Sequence, residues 1–246
     1  MERAPLYVHE VFPSFQGEGI YCGCPQVFVR LSGCNLSCAY CDTPRARRRV
    51  KRARIWCWEC ERESIPNPLG AEELVGVISS LWTGEMHSVS VTGGEPLVQA
   101  EALAALFPLL KERDMPVYLE TNGTLHEAAE RLLPWMDFVA MDMKLPSITG
   151  GADLMDDHLR FLRLVRSRDV FLKMVVDEGT TPGEVDHACR RLEGETTRLT
   201  LVLQPAWRGD GIRLTPGRAR ELVRAAAPYF SSVRVMPQAH RAWGVR

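Results

Sequence analysis

Ser90-Val-Thr-Gly-Gly-Glu-Pro96 lies between a short apolar, β-rich run and a segment at residues 100–112 with helical spacing. In that segment Leu103, Leu106, Phe107 and Leu110 fall on one face. Strand, glycine turn and amphipathic helix in this order make one βα unit. The paired glycines let a backbone approach a ligand closely. The carboxylate of Glu95 is suited to accept hydrogen bonds from an ammonium group.

The same rhythm continues on either side. Apolar, β-rich runs occupy residues 27–31, 89–92, 117–121, 138–143, 170–176, 199–204 and 233–236. Each is short and nearly continuous, the pattern of strands buried on both faces of a parallel sheet. Helix starts lie between them: Thr124-Leu-His-Glu127 reads as a capping box, Thr181 as an N-cap with Pro182 and Glu184 behind it, and Thr215-Pro216 as a third start. Alternating βα units imply an α/β fold with right-handed crossovers. Seven strands in 246 residues predict a single-domain, partial (incomplete) βα barrel with parallel strands. A complete eightfold barrel typically takes about 250 residues or more. Its functional face is expected at the carboxyl ends of the strands.

Thirty basic residues against thirty-one acidic ones argue against a chain whose main task is coating nucleic acid. No apolar run approaches the roughly 20 residues that span a bilayer. The start, MERAPLYVHEVF, lacks the pattern of a secretory signal. A cytoplasmic location is therefore expected, where thiols stay reduced. The eight cysteines then call for a chemical reason, and metal or cluster binding comes before disulfides.

Gly33-Cys-Asn-Leu-Ser-Cys-Ala-Tyr-Cys-Asp-Thr43 follows the first of the seven runs. Cys34, Cys38 and Cys41 have the spacing C-x3-C-x2-C. Three thiolates on one loop suit three irons of a four-iron cubane, where ordinary ferredoxin clusters use four cysteines. The remaining iron is then open to an added ligand. A structural zinc knuckle is the alternative, although zinc sites more often pair C-x2-C units. Further polar groups sit at later strand ends: Glu120-Thr-Asn-Gly123, Asp142-Met-Lys-Leu-Pro-Ser147 and Gln204-Pro205. Singly each reads as a cap or turn; in succession they suit a barrel-type site for a bound ligand or a substrate.

The triplet together with Thr-Gly-Gly-Glu resembles the signature of the radical S-adenosylmethionine superfamily. That resemblance implies a [4Fe-4S] cluster on Cys34, Cys38 and Cys41, and S-adenosyl-L-methionine held at the open iron. Reduction would then yield a 5′-deoxyadenosyl radical, so no side chain is expected as the hydrogen abstractor. A narrower resemblance is carried by Glu10-Val-Phe-Pro-Ser-Phe-Gln-Gly-Glu-Gly19, Pro25-Gln-Val-Phe-Val-Arg-Leu-Ser-Gly-Cys34 and Met236-Pro-Gln-Ala-His240. With the two central motifs these resemble the 7-carboxy-7-deazaguanine synthase family over nearly the whole chain.

The resemblance implies a carbon–nitrogen lyase that converts 6-carboxy-5,6,7,8-tetrahydropterin to 7-carboxy-7-deazaguanine with loss of ammonia, toward queuosine and related 7-deazapurines. It implies substrate contacts from Phe15, Gln16, Gly17, Glu18, Arg30, Thr92 and His240. For the cofactor it implies Tyr40, Cys41, Asp42, Gly94, Glu95 and Ser147, with Glu120 and Gln204 as the further polar strand-end candidates. Thr43 is the implied Mg2+ ligand, and a guanidinium at Arg30 suits the substrate carboxylate. The resemblance implies a homodimer; a reductant such as flavodoxin is the other expected partner, and charge and hydropathy point to neither nucleic acid nor a membrane.

Residues 45–68 depart from that family pattern and read as an inserted Cys/Arg-rich loop with no clear period. The run Arg45-Ala-Arg-Arg-Arg-Val-Lys-Arg-Ala-Arg54 reads as a solvated face, or as a contact for RNA or an acidic electron donor. Cys57-Trp-Glu-Cys60 and Cys22-Gly-Cys24 could together hold a second metal. Cys189 reads as a small buried hydrophobe. Two rival functions share the central motifs: another radical enzyme, such as a glycyl-radical activase, and a non-catalytic metal-binding module.

Overall fold

The structure is a computed structural model that describes residues 4–38, 41–209 and 211–246. Strand β1 (Val8–Phe15) runs antiparallel to β2 (Pro25–Leu31), with a 3-10 turn at Gly19–Tyr21 between them. Next comes a hairpin of β3 (Arg52–Trp56) and β4 (Glu61–Pro66). Helices and strands then alternate through α1 (Ala71–Leu81), β5 (Ser88–Gly93), α2 (Ala100–Lys111) and β6 (Val117–Thr121). They continue with α3 (His126–Glu130), β7 (Phe138–Met143), α4 (Pro146–Thr149), α5 (Met155–Val165) and β8 (Asp169–Val176). After α6 (Pro182–Arg191) and β9 (Thr200–Pro205), a small ribbon of β10 (Trp207–Arg208) and β11 (Gly211–Ile212) precedes α7 (Pro216–Ala226), β12 (Ser232–Val235) and α8 (Ala239–Trp243).

One sheet has the order β12-β9-β8-β7-β6-β5-β2-β1-β3-β4. Its run from β12 to β2 is wholly parallel and comprises the seven strands that the apolar runs predict, with ends shifted by at most two residues. The two edges do not pair, so the barrel is open. Helices cover the outer face, where Leu103, Leu106, Phe107 and Leu110 of α2 join the main core.

Along each strand, side chains alternate between the outer core and the barrel interior. The interior positions step from an apolar or small residue to a polar one toward the carboxyl end: Phe28 then Arg30, Ser90 then Thr92, Tyr118 then Glu120, Ala140 then Asp142, Phe171 then Lys173. Tyr118, Ala140, Phe171 and Val202 pack together, and Ile20 and Tyr21 of the 3-10 turn close over them. A Cβ on Gly19 would lie 2.2 Å from the Phe171 ring, so this close plug needs glycine.

Three local expectations are corrected. Residues 45–68 are not a loop throughout: β3 pairs in parallel with β1 and extends the sheet with β4. Period-2 alternation decides this, because Ala53 and Ile55 are buried while Arg52 is exposed. The basic run is partly docked, with the Arg49 guanidinium 4.1 Å from the Tyr7 ring centroid. Thr124 does not cap the next helix. Its N–H and hydroxyl both donate to Asn122 Oδ1, at 3.0 and 2.6 Å, and α3 begins at His126 without a side-chain cap. Thr181 and Thr215 do cap α6 and α7, accepting from the N–H groups of Glu184 and Arg218. Cys189 is fully buried.

Candidate active site

A cavity of about 370 Å³ opens at the carboxyl ends of the parallel strands. Cys34, Cys38 and Cys41 line it with unbridged, half-buried thiols. Their loop leaves β2 through Gly33, whose φ of +102° suits glycine. The Leu36 N–H donates to Cys34 Sγ across 3.4 Å. Burial raises the Cys34 thiol above its ordinary range, and nearby carboxylate and thiol charges add to this. Metal binding would favour its ionised form. Among the described residues, no three His, Cys, Asp or Glu side chains converge on one metal ion. Three thiols lining one cavity suit a cluster that spreads its ligands over several irons.

The glycine turn after β5 forms the adjoining wall. The Glu95 N–H donates to the Gly33 carbonyl at 2.8 Å, tying this turn to the cysteine loop. A Cβ on Gly94 would stand 2.1 Å from that carbonyl oxygen and 2.9 Å from Cys34 Cβ. Gly93, at φ +139°, is equally tight against the β2 backbone. Bare backbone here leaves close access to whatever the thiols hold.

Glu95 is 1% exposed. Its Oε1 accepts from the Leu97 N–H at 3.0 Å and the Thr121 hydroxyl at 2.8 Å, while Oε2 accepts from the Asn122 N–H at 2.7 Å. Burial nevertheless pushes its carboxyl up to about 7, against the pull of those donors. A cationic ligand would restore the ionised form.

Glu120, on β6, joins two walls. Gln16 Nε2 donates to its Oε1 at 2.9 Å, and the Thr92 hydroxyl to its Oε2 at 2.9 Å. Gln16 also holds the Glu18 N–H through Oε1 at 3.0 Å. Glu18 pairs with the half-buried Lys173 of β8 and accepts from Gln238 Nε2 at 2.7 Å. Burial would raise the Glu18 carboxyl, but Lys173 holds it well below its usual range. Gln238 also reaches Asp42 at 3.1 Å. Lys173 lies 3.4 Å from Asp142, which pairs with Lys144 at 2.8 Å. Two buried oxygens, Asp142 Oδ1 and Gln204 Oε1, have no hydrogen-bond donor among the described residues although both side chains line the cavity. A buried acceptor without a donor calls for a ligand or water partner.

Phe15, Gly17, Arg30, Thr43 and His240 line the same cavity. The Phe15 ring is flanked by Trp58 and Trp243, at centroid distances of 5.2 and 5.3 Å. A Cβ on Gly17 would meet the His240 ring at 2.3 Å, so these two neighbours require glycine. Arg30 Nε donates to Glu10 Oε1 at 3.0 Å.

One expected cofactor contact lies off the cavity wall. Ser147 is exposed on α4 and absent from the cavity wall; its N–H donates to Glu184 Oε1 at 2.9 Å. Tyr40 lies outside the described residues. Cys57 and Cys60 face each other at 2.9 Å between sulfurs on the β3–β4 tip, and neither Cys22 nor Cys24 joins them in a group of metal ligands. Lys173 was missed from sequence. A lone lysine inside the apolar run 170–176 was its signal, because such a charge needs buried partners.

Comparison with known proteins accounts for this arrangement. The sequence profile of the Radical SAM superfamily matches residues 28–192. The chain is 40% identical to the 7-carboxy-7-deazaguanine synthase of Geobacter sulfurreducens over 250 residues, covering 99% of both chains. It is 35% identical to the one of Methanothermobacter thermautotrophicus, covering 99% of this chain and 98% of that one. The crystal structure of QueE from Escherichia coli shares the fold, with a TM-score of 0.62 at 20% identity over 96% of this chain and 95% of that one. Three thiols and a glycine–glutamate turn on one open βα barrel, with full-length relatives of one name, place the chain in the radical SAM superfamily and, within it, in the 7-carboxy-7-deazaguanine synthase family.

Proposed function

We propose that this chain converts 6-carboxy-5,6,7,8-tetrahydropterin to 7-carboxy-7-deazaguanine with release of ammonia. The observation that carries the reading is the convergence of the cysteine triplet, the Gly94–Glu95 turn, the Gln16–Glu120–Thr92 hydrogen bonds and Arg30 on one cavity. Full-length relatives of that name support it. A glycyl-radical activase needs neither Arg30 nor the Gln16 turn, so the present site favours the pterin reaction.

Cys34, Cys38 and Cys41 would hold the [4Fe-4S] cluster, with S-adenosylmethionine between it and the Gly94–Glu95 turn. When bound, these groups supply one-electron hydrogen-atom chemistry, with the electron coming from a reductant such as flavodoxin. Glu95 takes the cofactor's ammonium, and its three donors fix where the carboxylate points. Gln204, Asp42 and Glu120 offer acceptors to the adenosyl hydroxyls and purine. Arg30 pairs with the substrate carboxylate through a planar fork. Phe15 gives an aromatic wall, while Gln16, Gly17, Glu18, Thr92 and His240 frame the pterin's polar edge. Thr43 supplies one oxygen to Mg2+, which keeps waters and takes the rest from substrate. The active unit is a homodimer, and light scattering reads that directly.

The test is an anaerobic assay. Protein reconstituted with iron and sulfide is given S-adenosylmethionine, a one-electron reductant, Mg2+ and the carboxytetrahydropterin. The deazaguanine should appear by liquid chromatography and mass spectrometry. Protein that holds its cluster and binds the cofactor, yet forms none, refutes the assignment.

A further inference from the structure

Behind Arg30, outside the cavity wall, Glu10 has four partners. Strand register puts it there: on β1 it stands opposite Arg30 of β2 on one side and Arg54 of β3 on the other. Its Oε1 accepts from Arg30 Nε at 3.0 Å, and its Oε2 accepts from Trp56 Nε1 at 3.1 Å. Arg54 and Arg246 bring guanidinium nitrogens to 3.6 and 3.5 Å of the same Oε2. Arg246 also stacks on Trp56, 3.2 Å from its centroid. The Glu10 side chain is 10% exposed and that of Arg30 18%, so both are largely withdrawn from water.

We propose that Glu10, locked by Trp56 and Arg54 of the β3–β4 hairpin, is a positioning residue that presents Arg30 to the substrate carboxylate. The inference rests on the reading of Arg30 given above. Arg30 reaches Glu10 through Nε alone, and among the described residues its two terminal nitrogens have no other hydrogen bond. The guanidinium is therefore anchored on one edge and open on the other, the edge that a carboxylate grips with two parallel bonds. Glu10 alone would neutralise Arg30 and weaken its hold on an anion. Arg54 and Arg246 remove that objection, since three guanidiniums around one carboxylate leave the cluster positive. Trp56 fixes the second oxygen, so Glu10 cannot rotate toward the cavity and occupy the anion's place. The β3–β4 hairpin thereby acts on substrate selection without touching substrate.

The experiment compares binding of 6-carboxypterin with that of unsubstituted pterin, by fluorescence, to protein carrying its cluster. The ratio of the two dissociation constants reads the carboxylate grip. Wild type should prefer the carboxylated ligand. In Glu10→Ala and Trp56→Phe the preference should fall about tenfold, the size of one charge-assisted interaction. Glu10→Gln, which keeps an acceptor for Arg30 Nε, should recover part of it. In turnover, Trp56→Phe should raise KM for the carboxytetrahydropterin with kcat within about twofold. Trp56→Phe also removes no charge, so it keeps the test valid where Glu10→Ala misfolds. A wild-type preference retained in full by folded Trp56→Phe and Glu10→Ala overturns the proposal. A wild type without any preference overturns the Arg30 reading itself.

Discussion

The backbone N–H of Asn122 donates to Oε2 of Glu95 across 2.7 Å, joining the end of β6 to the turn after β5. Thr121 donates to the other oxygen, so two consecutive residues of one strand end aim the carboxylate of its neighbour. Burial keeps this group's carboxyl at about 7, so below that pH the ligand-free protein holds it protonated. An ammonium ligand favours the ionised form, and its binding must then release a proton. Cofactor affinity of the cluster-loaded protein should therefore rise about fivefold from pH 6 to pH 7 and about twofold from pH 7 to pH 8. Calorimetric titrations in buffers of different ionisation enthalpy count the proton. A Glu95→Gln variant should bind weakly and lose the pH dependence.

His158 supports the same strand end from behind. Fully buried on α5, it donates from Nε2 to the Asn122 carbonyl at 3.0 Å. Burial lowers the imidazole to about 4 from an ordinary 6.5, despite that hydrogen bond. The unfolded chain therefore binds a proton that the native one does not between those values. The stability from a neutral His158 is complete above pH 6.5 and is lost as pH falls toward 4. Over that interval wild type should lose about 3 kcal/mol relative to His158→Leu. Urea unfolding at pH 4.5, 5.5 and 7 measures the difference; parallel curves would refute it.

Lys173 and its carboxylates should show the asymmetry of buried ion pairs. Lys173→Met leaves Glu18 and Asp142 facing each other without their shared cation. Removing one partner of such a group costs about 3–5 kcal/mol. Adding Glu18→Gln should return part of that loss, because one stranded charge is gone. Denaturant midpoints of the two single variants and the double variant close the cycle.

Gly94→Ala tests the crowding of the glycine turn. Its Cβ would overlap the Gly33 carbonyl and press on Cys34, so the cysteine loop must shift. Iron retained after reconstitution should fall well below the wild-type level. Gly76, inside α1, has open space at its Cβ position. Gly76→Ala should keep its iron and gain about 0.5–1 kcal/mol of stability. Equal iron in both variants would remove the steric argument.

Where one segment carried its own signal, the fold was readable. Six of the seven parallel strands are largely buried on both faces, which writes each as a nearly continuous apolar run; β12, at the sheet edge, is half-buried to exposed. β1 was missed: its residues 8–15 mix apolar side chains with His9, Glu10 and Ser14, and Pro13 interrupts the pattern. Its burial comes from neighbours on both sides, β2 and β3. The β3–β4 hairpin was hidden because arginines alternate with only small or single apolar residues, and its stability comes from joining an existing sheet edge. Within the site, Cys34, Cys38, Cys41, Gly94 and Glu95 were legible as local spacings. Ser147 stands off the cavity wall because a polar residue past a strand end also fits a helix start, and α4 carries it to the exposed surface.

From sequence alone came the chemical inventory: three thiols on one loop, a bare-backbone turn carrying a carboxylate, and polar residues at the ends of successive strands. Those are short-range facts, set by residue type and spacing. Tertiary structure alone decided which charges meet. Lys173 finds Glu18 across 155 residues, and Glu10 stands between Arg30 and Arg54 only because β1 lies between β2 and β3. Strand order and register bring distant side chains within a few ångströms of one another, and no local period encodes that order.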